Sequence, residues 1–239
     1  MNLIVDIGNS CVKIAVADNK GIVVSQCITD DIKELENIIR ETNPGKAIIS
    51  SVKEFPEGFS GLINKKIKYV HVLSHKSRLP FSIGYRTPET LGTDRIAAIA
   101  GAYNHFGGTD SLVIDAGTAI KYDVLLSNCF KGGNISPGID IRFKALHNFT
   151  GKLPLIEKTH NYNSPGGDTA EAITAGVING VIYEINEYIR TFEVNYPGIR
   201  VILTGGDGSF LHNKLDHKTD YLPGIVIKGL NFILEYNAK

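Results

Sequence analysis

One short turn that occurs twice constrains this chain more than any other feature. Asp6-Ile7-Gly8-Asn9-Ser10 interrupts two apolar runs in "LIVDIGNSCVKIAVAD", and Asp115-Ala116-Gly117-Thr118-Ala119 interrupts two more in "SLVIDAGTAIKYDVLL", 109 residues later in a chain of 239. Short Val/Ile/Leu/Ala runs bounded by Gly, Asn and Ser read as buried strands. The fold must therefore build the same strand-turn-strand corner once in each half. In the first half, strands are expected at 2–7, 11–17 and 20–26, with Asp18-Asn19-Lys20-Gly21 as a tight turn. A helix in "IKELENIIRE", strands in "KAIISSV" and "KYVHVL", and a buried helix in "GTDRIAAIAGAYNHF" beginning just after Thr93-Asp94 complete it. The second half repeats this order, with strands across 111–126 and 128–138, helices, and a strand in "RVILTGG". The expected architecture is two α/β halves, 1–107 and 108–239, joined at "FGGTD" and facing one cleft.

Composition removes several classes of function. Lys plus Arg equals Asp plus Glu at 25 each, and no stretch gathers basic with aromatic residues, so neither nucleic acid nor a membrane surface is an expected partner. Cys11, Cys27 and Cys129 are an odd, widely spaced set, which suits a reducing cytoplasm better than a disulfide framework or a zinc site. The seven histidines show no ligand spacing. Met1-Asn2-Leu3-Ile4-Val5 lacks a basic leader, and no apolar run reaches the roughly 18 residues of a membrane span. A soluble, cytoplasmic protein is expected.

A long helix is predicted from Asp168 to about Val194, with Ile173, Val177, Val181, Ile185 and Ile189 on one stripe that Ile178 and Ile182 widen. Gly176 and Gly180 lie one turn apart within it, and each costs about 1 kcal/mol of helix propensity relative to Ala. A closely packed neighbour would explain them, either another helix of the chain or a second copy.

No P-loop exists: Gly45-Lys46 and Gly151-Lys152 lack both the upstream glycine and the following Ser or Thr, and no GxGxxG follows a strand. The paired turns instead offer backbone N–H groups, a hydroxyl and a carboxylate. Such groups hold phosphate together with a cation, since a bare carboxylate repels phosphate. Lys13, on the second strand, adds a positive charge. An aspartate can simply cap a turn, but two equivalent turns favour a site over two unrelated caps. "GGNISPG" (132–138), read as following a strand, and "ILTGGDGSFL" (202–211), at a strand-to-helix junction, add glycines that let an anionic or flat group approach the backbone.

Asp6-x-Gly8-Asn9-Ser10-xx-Lys13, "YRTPETLGTDR", "DAGTA", "GGNISPG", "GDTAEAITAG" and "LTGGDG", in this order, closely resemble the type III pantothenate kinases of the acetate-kinase, sugar-kinase, Hsc70 and actin superfamily. The resemblance implies duplicated ribonuclease-H-like (actin-like ATPase) domains, each a mixed sheet with an antiparallel βββ meander and flanking helices. It implies transfer of the ATP γ-phosphoryl to pantothenate. Asp6 would hold Mg²⁺ through water, and the segment Ile7, Gly8, Asn9, Ser10, Cys11, Val12 and Lys13 would cradle phosphates. Asp94 would be the general base, Tyr85, Gly92, Thr93, Arg95 and Thr169 would contact pantothenate, and Thr118 would touch ATP. A monovalent cation, K⁺ or NH₄⁺, would sit at Asp115, and Thr169 would reach in from the partner of a homodimer. Two departures stand out. The family commonly has a small hydroxyl residue where this chain has Lys121, and a smaller residue than Asn134; Asp123 matches a third acidic position. A non-catalytic regulator of the same fold, or a superfamily kinase for another small hydroxyl substrate, are the alternatives. The presence of Asp6, Lys13, Asp94 and Asp115 together argues against the first.

Overall fold

The computed structural model describes residues 1–18 and 20–238; Asn19, inside the expected turn, and Lys239 lie outside them. In chain order the elements are β1 (Asn2–Ile7), β2 (Val12–Ala17), β3 (Val23–Ile28), α1 (Ile32–Thr42), β4 (Lys46–Ser51), α2 (Phe59–Lys66), β5 (Tyr69–Val72), β6 (Ser82–Ile83) and α3 (Thr93–Phe106), followed by β7 (Ser111–Ala116), β8 (Ala119–Leu126), β9 (Cys129–Pro137), α4 (Ile139–Asn148), α5 (Thr169–Asn195), β10 (Arg200–Thr204), α6 (Gly208–His212), β11 (Asp220–Tyr221) and α7 (Ile225–Asn237). The first sheet has the order β3-β2-β1-β4-β5. The second reads β9-β8-β7-β10-β11, with β6 added beyond β9. The two orders are the same once β6 is set aside, so the duplication expected from the turns extends to topology. In each sheet the first strand lies between the second and a parallel fourth: β1 pairs with β4, and β7 with β10.

The chain divides into two compact units, one of residues 1–109, 125–132 and 224–239, the other of 110–124 and 133–223. The break after 109 falls at "FGGTD", but the last helix, α7, packs in the first unit, on α3, β1 and β4. Glycine makes that packing possible. A Cβ on Gly229 would stand 1.9 Å from the Ala97 carbonyl oxygen, and one on Gly101 would stand 2.3 Å from that of Ile225. Polar contacts add to it: Asn2 donates to Asn231 and Glu235, each at 2.8 Å, and Lys46 pairs with Glu235.

In the first unit, β1 is buried along its whole length, as a central strand covered on both faces must be. One face carries Leu3, Val5, Ile7, Ile14, Val16 and Ile49 against Leu35 and Ile39 of α1 and Phe59 and Ile63 of α2. Full burial of such a side chain contributes about 1.5–3 kcal/mol. Asp31 starts α1 by accepting from the N–H of Lys33.

Several expectations need correction. The third strand begins at Val23, because Lys20 and Ile22 donate their N–H groups to the Asp18 carboxylate and belong to the turn. Helix α3 begins at Thr93, so Asp94 is inside its first turn. "GGNIS" lies within β9 rather than after a strand: a Cβ on Gly133 would meet the Tyr122 carbonyl oxygen at 2.0 Å, so this glycine serves strand packing. In α5 the apolar stripe is buried as expected, while Gly176 and Gly180 have no atom of another element within 4 Å of where a Cβ would stand. Close packing inside the chain therefore does not account for those two glycines. No helix among the described residues is long and apolar enough to cross a membrane.

Candidate active site

Asp6 is the penultimate residue of β1 and is 8 % exposed. Its neighbours across the sheet are Lys13 on β2 and Ser50 on β4, so these three side chains project from one face. Ser50, fully buried, donates to Asp6 Oδ1 at 3.2 Å and is 3.0 Å from the Thr93 hydroxyl, which in turn donates to the Ser51 carbonyl at 3.1 Å. Hydrogen bonds thus link the β1 carboxylate to the first turn of α3. The turn that follows β1 is closed by Gly8 N–H to Cys11 C=O, leaving Asn9 and Ser10 exposed at its tip, with the Lys53 ammonium 3.4 Å from the Asn9 carbonyl. Lys53 therefore lies beside the exposed tip of the turn, a favourable setting for phosphate.

Asp94 accepts from the Arg95 N–H at 2.9 Å, and its carboxylate lies back over Gly92, where a Cβ would stand 2.5 Å from Oδ1. Glycine at 92 leaves the carboxylate this position. Arg95 is 4 % exposed; its guanidinium stacks 5.5 Å from the Tyr85 ring centroid and 5.8 Å from that of Phe130. Cation–π contact of this kind holds a guanidinium in place. Tyr85 packs in turn on Gly132, whose φ of +113° a side chain would strain.

In the second unit, Asp115 ends β7 at 9 % exposure, beside Thr204 of β10. Its Oδ1 lies 2.6 Å from where a Gly205 Cβ would stand, and Gly138 crowds the carbonyls of Gly117 and Thr118 in the same way. Thr118 is exposed at the turn and its carbonyl accepts from Gly138 N–H. Lys121 of β8 places its ammonium 2.7 Å from Asp115 Oδ2, in an ion pair whose side chains are 16 % and 13 % exposed. Asp123 is 1 % exposed, beside Gly133. Asp207, at the start of α6, pairs with Lys158.

The residue after Lys121 is anchored firmly. Tyr122 is fully buried, stacks on Tyr188 at 4.0 Å between centroids, and donates to Glu184 at 2.8 Å. Burial, reinforced by Glu184, pushes its phenol far above the ordinary range. Glu184 also takes Arg142, which reaches Ser136 and the Pro137 carbonyl. Burial alone would raise the Glu184 carboxyl, but hydrogen bonds from Arg142, Ser136 and Tyr122 outweigh it and hold it below its ordinary 4.5. A depressed carboxyl contributes stability above its unfolded value and loses it as the pH falls through the folded one. Glu184→Gln is therefore expected to cost about 2 kcal/mol at pH 7, by leaving Arg142 half paired, and to shrink the loss of stability below pH 4.5, measured by denaturant titration at both pH values.

The structure brings Asp6, the Gly8–Ser10 turn, Lys13, Tyr85, Gly92, Thr93, Asp94 and Arg95 into one unit and Asp115, Thr118 and Thr169 into the other. Thr169 opens α5 in an exposed position, after Asp168 caps the helix by accepting from Glu171 N–H. Ser50, Lys53, Arg142 and Glu184 carry no mark in the sequence that singles them out; the only signal is the pair of serines ending an apolar strand.

The donor set can be tested against the ions such a site implies. One hard carboxylate at a strand end, beside a phosphate-type turn, suits Mg²⁺, which keeps waters and is held by one or two carboxylates plus substrate phosphates; Asp6 fits. Asp115 does not fit a free K⁺ or NH₄⁺, because an ammonium already engages Oδ2 of a carboxylate that is itself mostly buried. A second cation 4 Å from that ammonium would meet a repulsion of about 4 kcal/mol at an effective dielectric constant of 20.

Twin sheets of this order, with a carboxylate near the end of each first strand and glycine turns beside them, have the architecture of the actin-like ATPase and sugar-kinase fold class. Solved structures agree on the fold. A Campylobacter jejuni chain described as a candidate Baf family transcriptional activator has TM-score 0.64 at 25 % identity, covering 99 % of this chain and 98 % of its own. A candidate N-acetylmannosamine kinase from Listeria monocytogenes has TM-score 0.62 at 12 %, covering 100 % and 99 %. The activator of 2-hydroxyisocaproyl-CoA dehydratase from Clostridium difficile, solved with bound ADPNP, has 0.56 at 12 %, covering 99 % and 93 %. The model of the type III pantothenate kinase family matches residues 2–191. Relatives of that name are 43 % identical in Bacteroides fragilis strain YCH46, over 99 % of this chain and 98 % of theirs, and 37 % identical in Cytophaga hutchinsonii over the full length of both. The chain belongs to the type III pantothenate kinase family.

Proposed function

We propose that the protein is an enzyme that transfers the γ-phosphoryl of ATP to the terminal hydroxyl of pantothenate, giving 4′-phosphopantothenate in coenzyme A biosynthesis. One observation carries this reading: the hydrogen bonds from Asp6 through Ser50 to Thr93 join a phosphate-binding strand end to the helix that presents Asp94 and Arg95. Mg²⁺ would be held by Asp6 and, when bound, neutralises charge on the transferring phosphoryl. The exposed turn at Asn9 and Ser10, with Lys13 and Lys53, binds and orients the phosphates. Asp94 accepts the proton of the pantothenate hydroxyl. A carboxylate serves because the loose transition state releases that proton late. Arg95, set against Tyr85 and Phe130, has the guanidinium chemistry that pairs with the pantothenate carboxylate, and the main chain of Gly92 and Thr93 lines the same end of α3. Thr118 contacts ATP, and Asp115 anchors a single positive charge in the second unit.

The reading includes a cytoplasmic homodimer, with Thr169 contributed across its interface. Its support is α5, where Gly176 and Gly180 have no close neighbour from another element and Tyr183 is 68 % exposed, and three free cysteines suit the cytoplasm. A coupled ADP-release assay with MgATP tests the reaction: release dependent on pantothenate, with the phosphorylated product seen by mass spectrometry, is expected. Nucleotide binding without any such release in any salt would point instead to a regulator of the same fold.

A further inference from the structure

We infer that Lys121 supplies, from within the chain, the single positive charge that a free K⁺ or NH₄⁺ would bring to Asp115, so that the enzyme turns over without added monovalent cation. The inference rests on the pantothenate kinase reading only for its activity arm. Its structural ground is independent: the Lys121 ammonium lies 2.7 Å from Asp115 Oδ2, and both side chains are mostly buried. An ammonium on a tether is chemically the same charge as bound NH₄⁺, and tethering removes the entropy lost when a free ion binds.

The surroundings keep it there. Asp115 is fixed near the end of β7, paired in the sheet with Thr204, and a side chain at Gly205, whose φ is +93°, would press on its Oδ1. The next β8 residue, Tyr122, is buried, stacked and bonded to Glu184, so the strand carrying Lys121 cannot easily slide away from Asp115. Asp207 N–H donates to the Ala116 carbonyl at 2.9 Å, tying the β10–α6 turn to the same strand end. The carboxylate of Asp115 thus already has a cationic partner inside the chain.

The test measures wild type, Lys121→Ser and Lys121→Arg at constant ionic strength, replacing tetramethylammonium chloride stepwise with KCl or NH₄Cl up to about 100 mM. Wild type is expected to change pantothenate-dependent ADP release by less than about twofold across the series, and Lys121→Arg, which keeps the positive charge, to show the same insensitivity to added cation whatever its own rate. Lys121→Ser is expected to lose at least about tenfold without K⁺ or NH₄⁺ and to recover when either is added, because the vacated charge is then filled from solution. Thermal melting gives a second readout: K⁺ over tetramethylammonium should raise the Tm of Lys121→Ser and leave wild type unmoved. Activation of wild type by K⁺ of about tenfold or more, or a K⁺-specific rise in its Tm, overturns the inference and leaves the pantothenate reading intact. Absence of product in every salt removes the pantothenate reading, and the melting series still decides the role of Lys121. If Lys121→Ser does not fold, the wild-type titration alone decides between the two outcomes.

Discussion

Asp94→Asn is expected to lower kcat for pantothenate phosphorylation by about 10²- to 10⁴-fold, with KM for ATP and Tm close to wild type. Asparagine keeps the shape and one acceptor, so the bond that Asp94 receives from the Arg95 N–H survives, and with it the start of α3. What disappears is the group that can take a proton. A thousandfold loss corresponds to about 4 kcal/mol of transition-state stabilisation, which is more than one neutral hydrogen bond supplies. Steady-state kinetics with pantothenate varied at saturating MgATP, and a thermal melt on the same samples, separate the possibilities. Unchanged kcat would remove Asp94 as base; a matching collapse in Tm would make its role structural.

Much of this molecule is legible in its sequence because the informative signals are local. Small residues after Asp6 and Asp115 mark sharp turns whatever surrounds them, and period and composition identify the strands beside them. Their repetition then points to two sheets of one design. Lines of contact between distant segments are not legible. Ser50 reads as one more residue at the end of a strand until β4 is laid beside β1 and α3 brings Thr93 to it. "GGNIS" looks like a loop, because glycine disfavours strands in general; here the carbonyl of Tyr122 leaves no room for a side chain. Lys121 stands out in the sequence as a departure, but only the structure shows its ammonium on Asp115. The long helix is plainly amphipathic from its period, whereas the meaning of Gly176 and Gly180 depends on finding no neighbour there within the chain. Placement of α7 in the first unit is beyond local pattern altogether, since it is decided by contacts with α3 far upstream.

That helix pair sets the second large effect. Gly229→Ala is expected to destabilise the first unit by about 3 kcal/mol and to lower Tm by about 6–12 °C in a chain of this size. The added methyl would stand 1.9 Å from the Ala97 carbonyl oxygen and 2.7 Å from the Gly101 nitrogen, both backbone atoms of α3, so no rotamer change relieves the clash. The helices must separate. Ala favours a helix over Gly by about 1 kcal/mol, and the clash has to exceed that gain for the sign to hold. Gly61→Ala in α2 isolates the contribution of propensity, because nothing lies within 4 Å of its Cβ position; it should raise stability by up to about 1 kcal/mol. α3 carries Thr93, Asp94 and Arg95 in its first turn, just before Ala97, so separation should also loosen the line from Asp6 through Ser50 and lower kcat well below the melting range. Equal melting temperatures for Gly229→Ala and Gly61→Ala would show that α7 is not seated on α3 through this glycine.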